Sequence, residues 1–477
     1  MNDSITARLY GETELAGGQG YTRSVGLPFI QSVVSVLVLA ALWVTGQDHL
    51  LRMAIPAMAM LTGVALYFCQ PLLYIEYSLW VWFLAPLVRR IVDWRFGFTE
   101  PNFVLVSPLL VSAVAGLTLV IPNRRANARI PMPFLLCGSA IMYGFFVGMA
   151  LHPSGETLFG LFNWLCPLLF GLHLVLSWRQ YDEHRAVISK TFLWGVLILG
   201  LYGIYQYVSP PAWDRYWLEN VMIGGQNESF GQPEPFQVRI WSTLNSPGPF
   251  ANTMMAALLL LLTFRSRLKM PAAFAGYLSF LISVVRTAWL SWLIGLFLIL
   301  KSAKPRVLVR ICLSIAVLIA CVLPFASDQR VATLISDRAS TFTDLGHDTS
   351  FGERADMYQT LFVDVINNPF GYGLTNLAAS RGIAVDSGIL MVLFSLGWLG
   401  TVVFAAGIAA IFLGEKYPFE ERDQFSIAGR AIIIATLFEI VGGNIFANVF
   451  GATFWMFVGM YLAGKRYHSN ESAITVR

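Results

Sequence analysis

Six residues combine the type and setting that chemistry needs: the arginines Arg239, Arg286 and Arg354, and the carboxylates Glu234, Glu353 and Asp386. A guanidinium is a planar fork of donors that fits a phosphate or carboxylate and stays charged at any working pH. A carboxylate beside such a site can accept a proton. The pattern points to a bound anion with a base next to it. The sequence carries no Walker loop, no HExxH, no GxSxG and no cluster with metal-ligand spacing, so no ATPase or metalloprotease reading has support.

Arg286 is the single charge in Pro271 to Leu300 (PAAFAGYLSFLISVVRTAWLSWLIGLFLIL). A cation in a bilayer is expensive, and an ionisable residue there is a functional hypothesis by default. The run is either one overlong helix of about 45 Å at 1.5 Å per residue or a hairpin of two short spans. No glycine or proline marks a bend, but the flanks 265–269 and 301–310 are both strongly basic. Both flanks then lie on one side, the crossings are even in number, and Arg286 sits at the outer tip of a hairpin.

The other candidates lie in two long segments, 209–246 and 327–385, or at their edges. Glu234 and Arg239 precede a turn-rich Asn-Ser-Pro-Gly-Pro stretch. Trp213, Tyr216 and Trp217 crowd the start of that segment. They read either as an interfacial aromatic belt or as a stacking platform for sugar rings. Ser350-x-x-Glu353 is a capping box followed by Met357, Leu361 and Val365 at helical spacing, so Glu353 is either a cap or a catalytic carboxylate. Arg354 is not needed for capping, and His347 reads as a solvated loop histidine. Asp386 opens DSGILMVLFSLGWLG and is either a helix N-cap or a base.

The elements that must position these residues are membrane helices. Of 477 residues, 56% are hydrophobic and 13% charged, and the mean hydropathy is +0.63; a soluble domain carries about 25% charged residues. Fourteen apolar segments are expected: 26–45, 51–69, 71–91, 103–121, 131–151, 157–178, 187–208, 247–264, 270–285, 287–301, 306–326, 386–413, 428–445 and 447–464. Their continuity excludes a β-barrel and predicts an all-α integral membrane protein, a single polytopic domain over 1–477 with about 14 (12–14) transmembrane helices. Basic segments at 124–129, 179–185, 265–269, 301–310 and 465–466 all fall on one side, the cytoplasm, with both termini. The segment 89–102, with Arg89, Arg90 and Arg95, is the one exception. The long segments are then two periplasmic loops with short helices. The first 25 residues are polar and the first apolar run is full length, so no cleavable signal is expected. The five cysteines all lie in apolar runs, which argues against a disulfide framework. The net charge of +4 tracks topology and gives no sign of nucleic-acid binding.

Four pieces resemble the O-antigen ligase and Wzy polymerase superfamily of bacterial polysaccharide assembly, over roughly residues 200 to 465. They are VRIWSTLNSPGPFANT with Arg239; LISVVRTAWLSWL with Arg286; FGERADMYQTLFVDVINNPFGYGLTN with Arg354 and the Gly-Tyr-Gly at 371–373; and DSGILMVLFSLGWLGT, with Ser387, Gly397 and Gly400 in register. The resemblance implies a GT-C-type glycosyltransferase of the bacterial inner membrane, acting at its periplasmic face. It would transfer a glycan from undecaprenyl diphosphate to a sugar hydroxyl, with inversion and without metal or cofactor. By carry-over Arg239, Arg286 and Arg354 would bind the diphosphate, and the base would come from Asp386, Glu353 or Glu234. Implied partners are the lipid-linked oligosaccharide, membrane lipid, a Wzz-like chain-length regulator and a flippase. Ligases carry histidine where this chain has Asp386, which favours a polymerase over a ligase.

A lipid-linked oligosaccharide flippase or other transporter is the competing class. Glu76 and Glu439, expected near the middle of their spans, would suit it. Arginines gathered at one face argue against it.

Overall fold

Long apolar runs leave the backbone to satisfy its own hydrogen bonds, which a helix does within one segment. The computed structural model describes residues 26–121, 129–223, 230–302, 309, 367–374, 387–413 and 423–475. Their regular structure is helical: α1 (Gly26–Val44), α2 (Asp48–Cys69), α3 (Pro71–Phe96), α4 (Phe103–Val120, of mixed α and 3-10 turns), α5 (Met132–Leu151), α6 (Gly155–Leu176) and α7 (Tyr181–Val208). There follow α8 (Ala212–Ile223), α9 (Pro247–Leu261), α10 (Lys269–Ile282), α11 (Arg286–Ser302), α12 (Gly388–Phe412), α13 (Gln424–Phe438) and α14 (Asn448–Thr475). Among the described residues nine helices are long and apolar enough to cross a membrane. The expected span 306–326 lies outside the described residues except for Val309, and His347, Glu353, Arg354 and Asp386 lie outside them too.

Helix α9 is apolar all round, as a helix enclosed by others should be. Every residue from Phe250 to Leu261 is buried, with α7, α10, α11, α13 and α14 around it. The α6–α14 pair meets through glycines: a Cβ at Gly171 would stand 2.2 Å from Trp455 O, and one at Gly459 2.3 Å from Gly171 O. Small residues let backbones approach this closely where lipid supplies no hydrophobic drive.

The 271–300 run is a hairpin. Along one unbroken helix Tyr277 and Trp292 would be about 22 Å apart, but their ring centroids are 5.4 Å apart. The turn is Ser283–Val284–Val285, and Val284 has φ +57°. That is the left-handed region, which a β-branched residue occupies only under strain.

Four of the five basic segments meet at the opposite end of the bundle. Arg466 Nη2 donates to Arg129 O at 2.8 Å, Tyr467 Oη to Asp182 at 2.9 Å, and Arg185 and Arg265 line one cavity. The exceptional arginines prove to be helix residues, because α3 runs on to Phe96. Arg89 and Arg52 both pair with buried Asp93, Arg89 at 3.1 Å. Arg90 is fully buried, its Nε 2.7 Å from Asp214 Oδ1. Its Nη1 donates to Leu244 O and its Nη2 to Ser242 O.

Asp214 also accepts from Gln206 Nε2 at 2.6 Å and Tyr202 Oη at 3.0 Å. Gln206 Oε1 in turn accepts from the backbone N–H groups of Trp241 and Ser242. This buried network fastens the segment 209–246 to α3 and α7. Removing one partner of a buried pair leaves an uncompensated charge and costs about 3–5 kcal/mol. Asp214→Leu and Arg90→Met should each lower the thermal unfolding midpoint sharply in detergent, with the Arg90→Met/Asp214→Leu double variant milder than the sum of the singles. Additive effects in that cycle would show that the two side chains are not coupled.

Candidate functional site

Arg239 is placed by backbone pairing on either side of it. Gly231 and Val238 form an antiparallel bridge, and Arg239 N donates to Phe230 O at 2.9 Å. Beneath lies a small core of Trp217, Leu218, Phe230, Val238 and Trp241. From this base the half-buried guanidinium reaches the hairpin turn. Nη2 donates to Val284 O at 3.0 Å and Nε to Ser283 O at 3.4 Å.

These carbonyls stand two and three residues before Arg286. Arg239 therefore holds the strained turn, and the turn sets Arg286 at the first position of α11. A helix N-terminus presents unbonded N–H groups and the positive end of the dipole, so Arg286 adds a full charge to a pole already suited to anions.

Helix α12 begins nearby. A Cβ at Gly442 would meet Thr287 Cγ2 at 3.4 Å, and one at Gly388 would meet Gly443 O at 2.2 Å. The segment 439–443 thus bridges the start of α11 and the start of α12, which Ser387 Oγ caps by accepting from Leu390 N.

The Gly-Tyr-Gly piece also docks on α12. Gly397 leaves helical geometry (φ +60°, ψ −174°), which would strand Trp398 N–H and Phe394 O, partners in an unbroken helix. The segment 369–372 takes both: Trp398 N donates to Pro369 O at 2.9 Å, and Tyr372 N donates to Phe394 O at 2.7 Å. On its far side Leu374 N donates to Gly144 O of α5 at 3.2 Å. A Cβ at Gly373 would stand 2.1 Å from Gly148 Cα, so glycine is required there for closeness as well as for its φ of +82°.

The remaining candidates scatter. Glu234 is exposed and accepts from Gln237 Nε2 at 2.9 Å, away from the Arg239 clasp among the contacts described. Trp217 is only 4% exposed; its ring packs on Phe230 and Trp241, with Arg90 Cζ 5.9 Å from its centroid. It is a core residue, buried among these side chains. Trp213 Nε1 donates to Tyr202 Oη at 2.7 Å, and Tyr216 Oη accepts from Phe98 N at 3.1 Å. These three aromatics, spaced i, i+3 and i+4 on α8, fasten that helix to Tyr202, to Phe98 and to the small core.

The carboxylates expected at midspan sit near the ends. Glu76 is in the second turn of α3. Glu439 is in the closing turn after α13, three residues from Gly442, 4% exposed, facing Ser291 of α11. Among the described residues its Oε1 has no hydrogen-bond partner. The α-helix ends at Phe438, one residue before Glu439.

No known family model matches this chain, and no curated protein matches it as a relative.

The clasp makes a direct prediction. Arg239→Gln removes the charge that holds two turn carbonyls and should destabilise the protein by about 1.5–3 kcal/mol. Val284→Gly relieves a strain of about 1–3 kcal/mol and should be neutral or stabilising. Thermal unfolding in detergent reads both; a marked loss in Val284→Gly would refute the strained turn.

Proposed function

We propose that this chain is a polysaccharide polymerase of the bacterial inner membrane. It would transfer a glycan from undecaprenyl diphosphate to the hydroxyl of a second lipid-linked repeat unit. The observation that carries the reading is the clasp: the Arg239 segment holds the turn that opens on Arg286. Beside it lies the start of α12, on which the Gly-Tyr-Gly piece docks. All four pieces that resemble the superfamily thus join in one chain of contacts, by way of the segment 439–443. In this reading the arginine end faces the periplasm, the basic end and both termini face the cytoplasm, and about fourteen spans cross between.

The chemistry follows from charge. An acceptor hydroxyl attacks the anomeric carbon, the bond to the diphosphate oxygen breaks, and configuration inverts. Negative charge grows on the departing diphosphate, where Arg286 and the N-terminus of α11 stabilise it. Arg239 keeps Arg286 aimed. The hydroxyl proton passes to a carboxylate; Asp386, which directly precedes the cap Ser387, is the first choice, with Glu353 and Glu234 behind it.

Deletion of the gene followed by glycan analysis tests the reaction. Single repeat units attached to their acceptor, with long chains lost, mark a polymerase. Accumulated long chains that never reach lipid A mark a ligase, and lipid-linked units trapped in the cytoplasm mark a flippase. Arg286→Ala should reduce polymer by about 10²–10³-fold, the cost of losing one preorganised charge stabiliser, while the protein stays in the membrane. Arg286→Lys should recover only part, since an ammonium lacks the bidentate fork. EDTA should leave polymer formation intact; metal dependence would reject the arginine-only mechanism.

A further inference from the structure

At the basic end a cavity of about 550 Å³ opens between the start of α7, the α9–α10 connection and the start of α13. That volume lies within the range of about 300–1,000 Å³ usual for small-molecule sites. Its lining divides by chemistry. Arg185, Lys190 and Arg265 supply three cations; Leu193, Phe264 and Phe425 supply an apolar wall. Lys190 is the last cation before the long apolar stretch of α7, so the cavity lies where that stretch begins.

The single acid in the lining, Asp423, is already committed. It accepts from Tyr181 Oη and Ser426 Oγ, and it pairs with Arg185 at 3.3 Å and with His468 at 3.3 Å. Burial would push its carboxyl up, but the hydrogen bonds from Tyr181, Ser426 and His468 and the charge of Arg185 outweigh that and hold it below its ordinary range. Arg185 is shared between Asp423 and Asp182, the latter at 2.9 Å. Lys190 and Arg265 meet no carboxylate among the described residues. Two exposed cations thus flank an apolar wall.

We propose that this cavity seats an anionic phospholipid of the leaflet at the basic end. Its phosphate meets Lys190 and Arg265, and its acyl chains run along Leu193, Phe264 and Phe425. Basic pockets between spans on the cytoplasmic side recognise such head groups, and the apolar wall distinguishes a lipid from a free anion. The site is independent of the reaction proposed at the opposite end.

Thermal unfolding of the full-length protein in detergent, with lipid added, tests this. Cardiolipin or phosphatidylglycerol should raise the midpoint by several degrees, and phosphatidylcholine should not. The Lys190→Gln/Arg265→Gln double variant should unfold at the wild-type temperature without lipid, since both side chains are exposed, and should lose the anionic-lipid shift. Three results would overturn the site: an equal shift with phosphatidylcholine, an undiminished shift in the double variant, or the same stabilisation from inorganic phosphate, which would make it a site for a soluble anion.

Discussion

A carbonyl or amide left without a partner inside an apolar bundle costs several kcal/mol, and this constraint governs four places where the described helices break. At Gly397 the helix opens, and the segment 369–372 bonds both freed groups. At Val284 the hairpin turns, and Arg239 holds two of its carbonyls. Before α9 the chain re-enters the bundle, and Arg90 holds Leu244 O and Ser242 O. At the end of α3, Arg52 donates to Gly97 O at 2.6 Å. Three of these four repairs use a guanidinium, the side chain with the most donors and one that cannot lose its charge.

Such repairs couple distant parts of the sequence. Arg90 is bound to Asp214, Asp214 to Gln206, and Gln206 to the backbone that leads from Arg239 into α9. The position of Arg286 therefore depends on a network that begins in α3. A substitution at Arg90 would disturb the turn before Arg286 without touching it. The two ends of the molecule also differ in kind: at the arginine end, cations are fixed in hydrogen bonds and helix poles, whereas at the basic end Lys190 and Arg265 stand at an open cavity.

Much of this was legible in the chain. Continuous apolar runs required helices, and basic flanks on both sides of 271–300 required a hairpin even though no turn residue marks it. Tertiary geometry moved other readings. Arg89 and Arg90 looked like a misplaced basic loop, because burial of an arginine in an ion pair leaves no trace in hydropathy. Trp217 looked available for stacking, because an interfacial tryptophan and a core tryptophan share one local sequence signature. Glu439 looked central to its span, because the helix yields to a closing turn at a point that composition does not mark.

The sequence by itself determined that this is an all-helical membrane protein and where its charges concentrate. Period, length and charge are properties of the chain taken in order, so they survive without coordinates. Only the tertiary structure decided that Arg239 reaches across to the turn before Arg286, and that the Gly-Tyr-Gly piece completes a broken helix on α12. Those contacts join residues far apart in the chain through backbone groups that every residue possesses, and no side-chain pattern announces which of them will be left open.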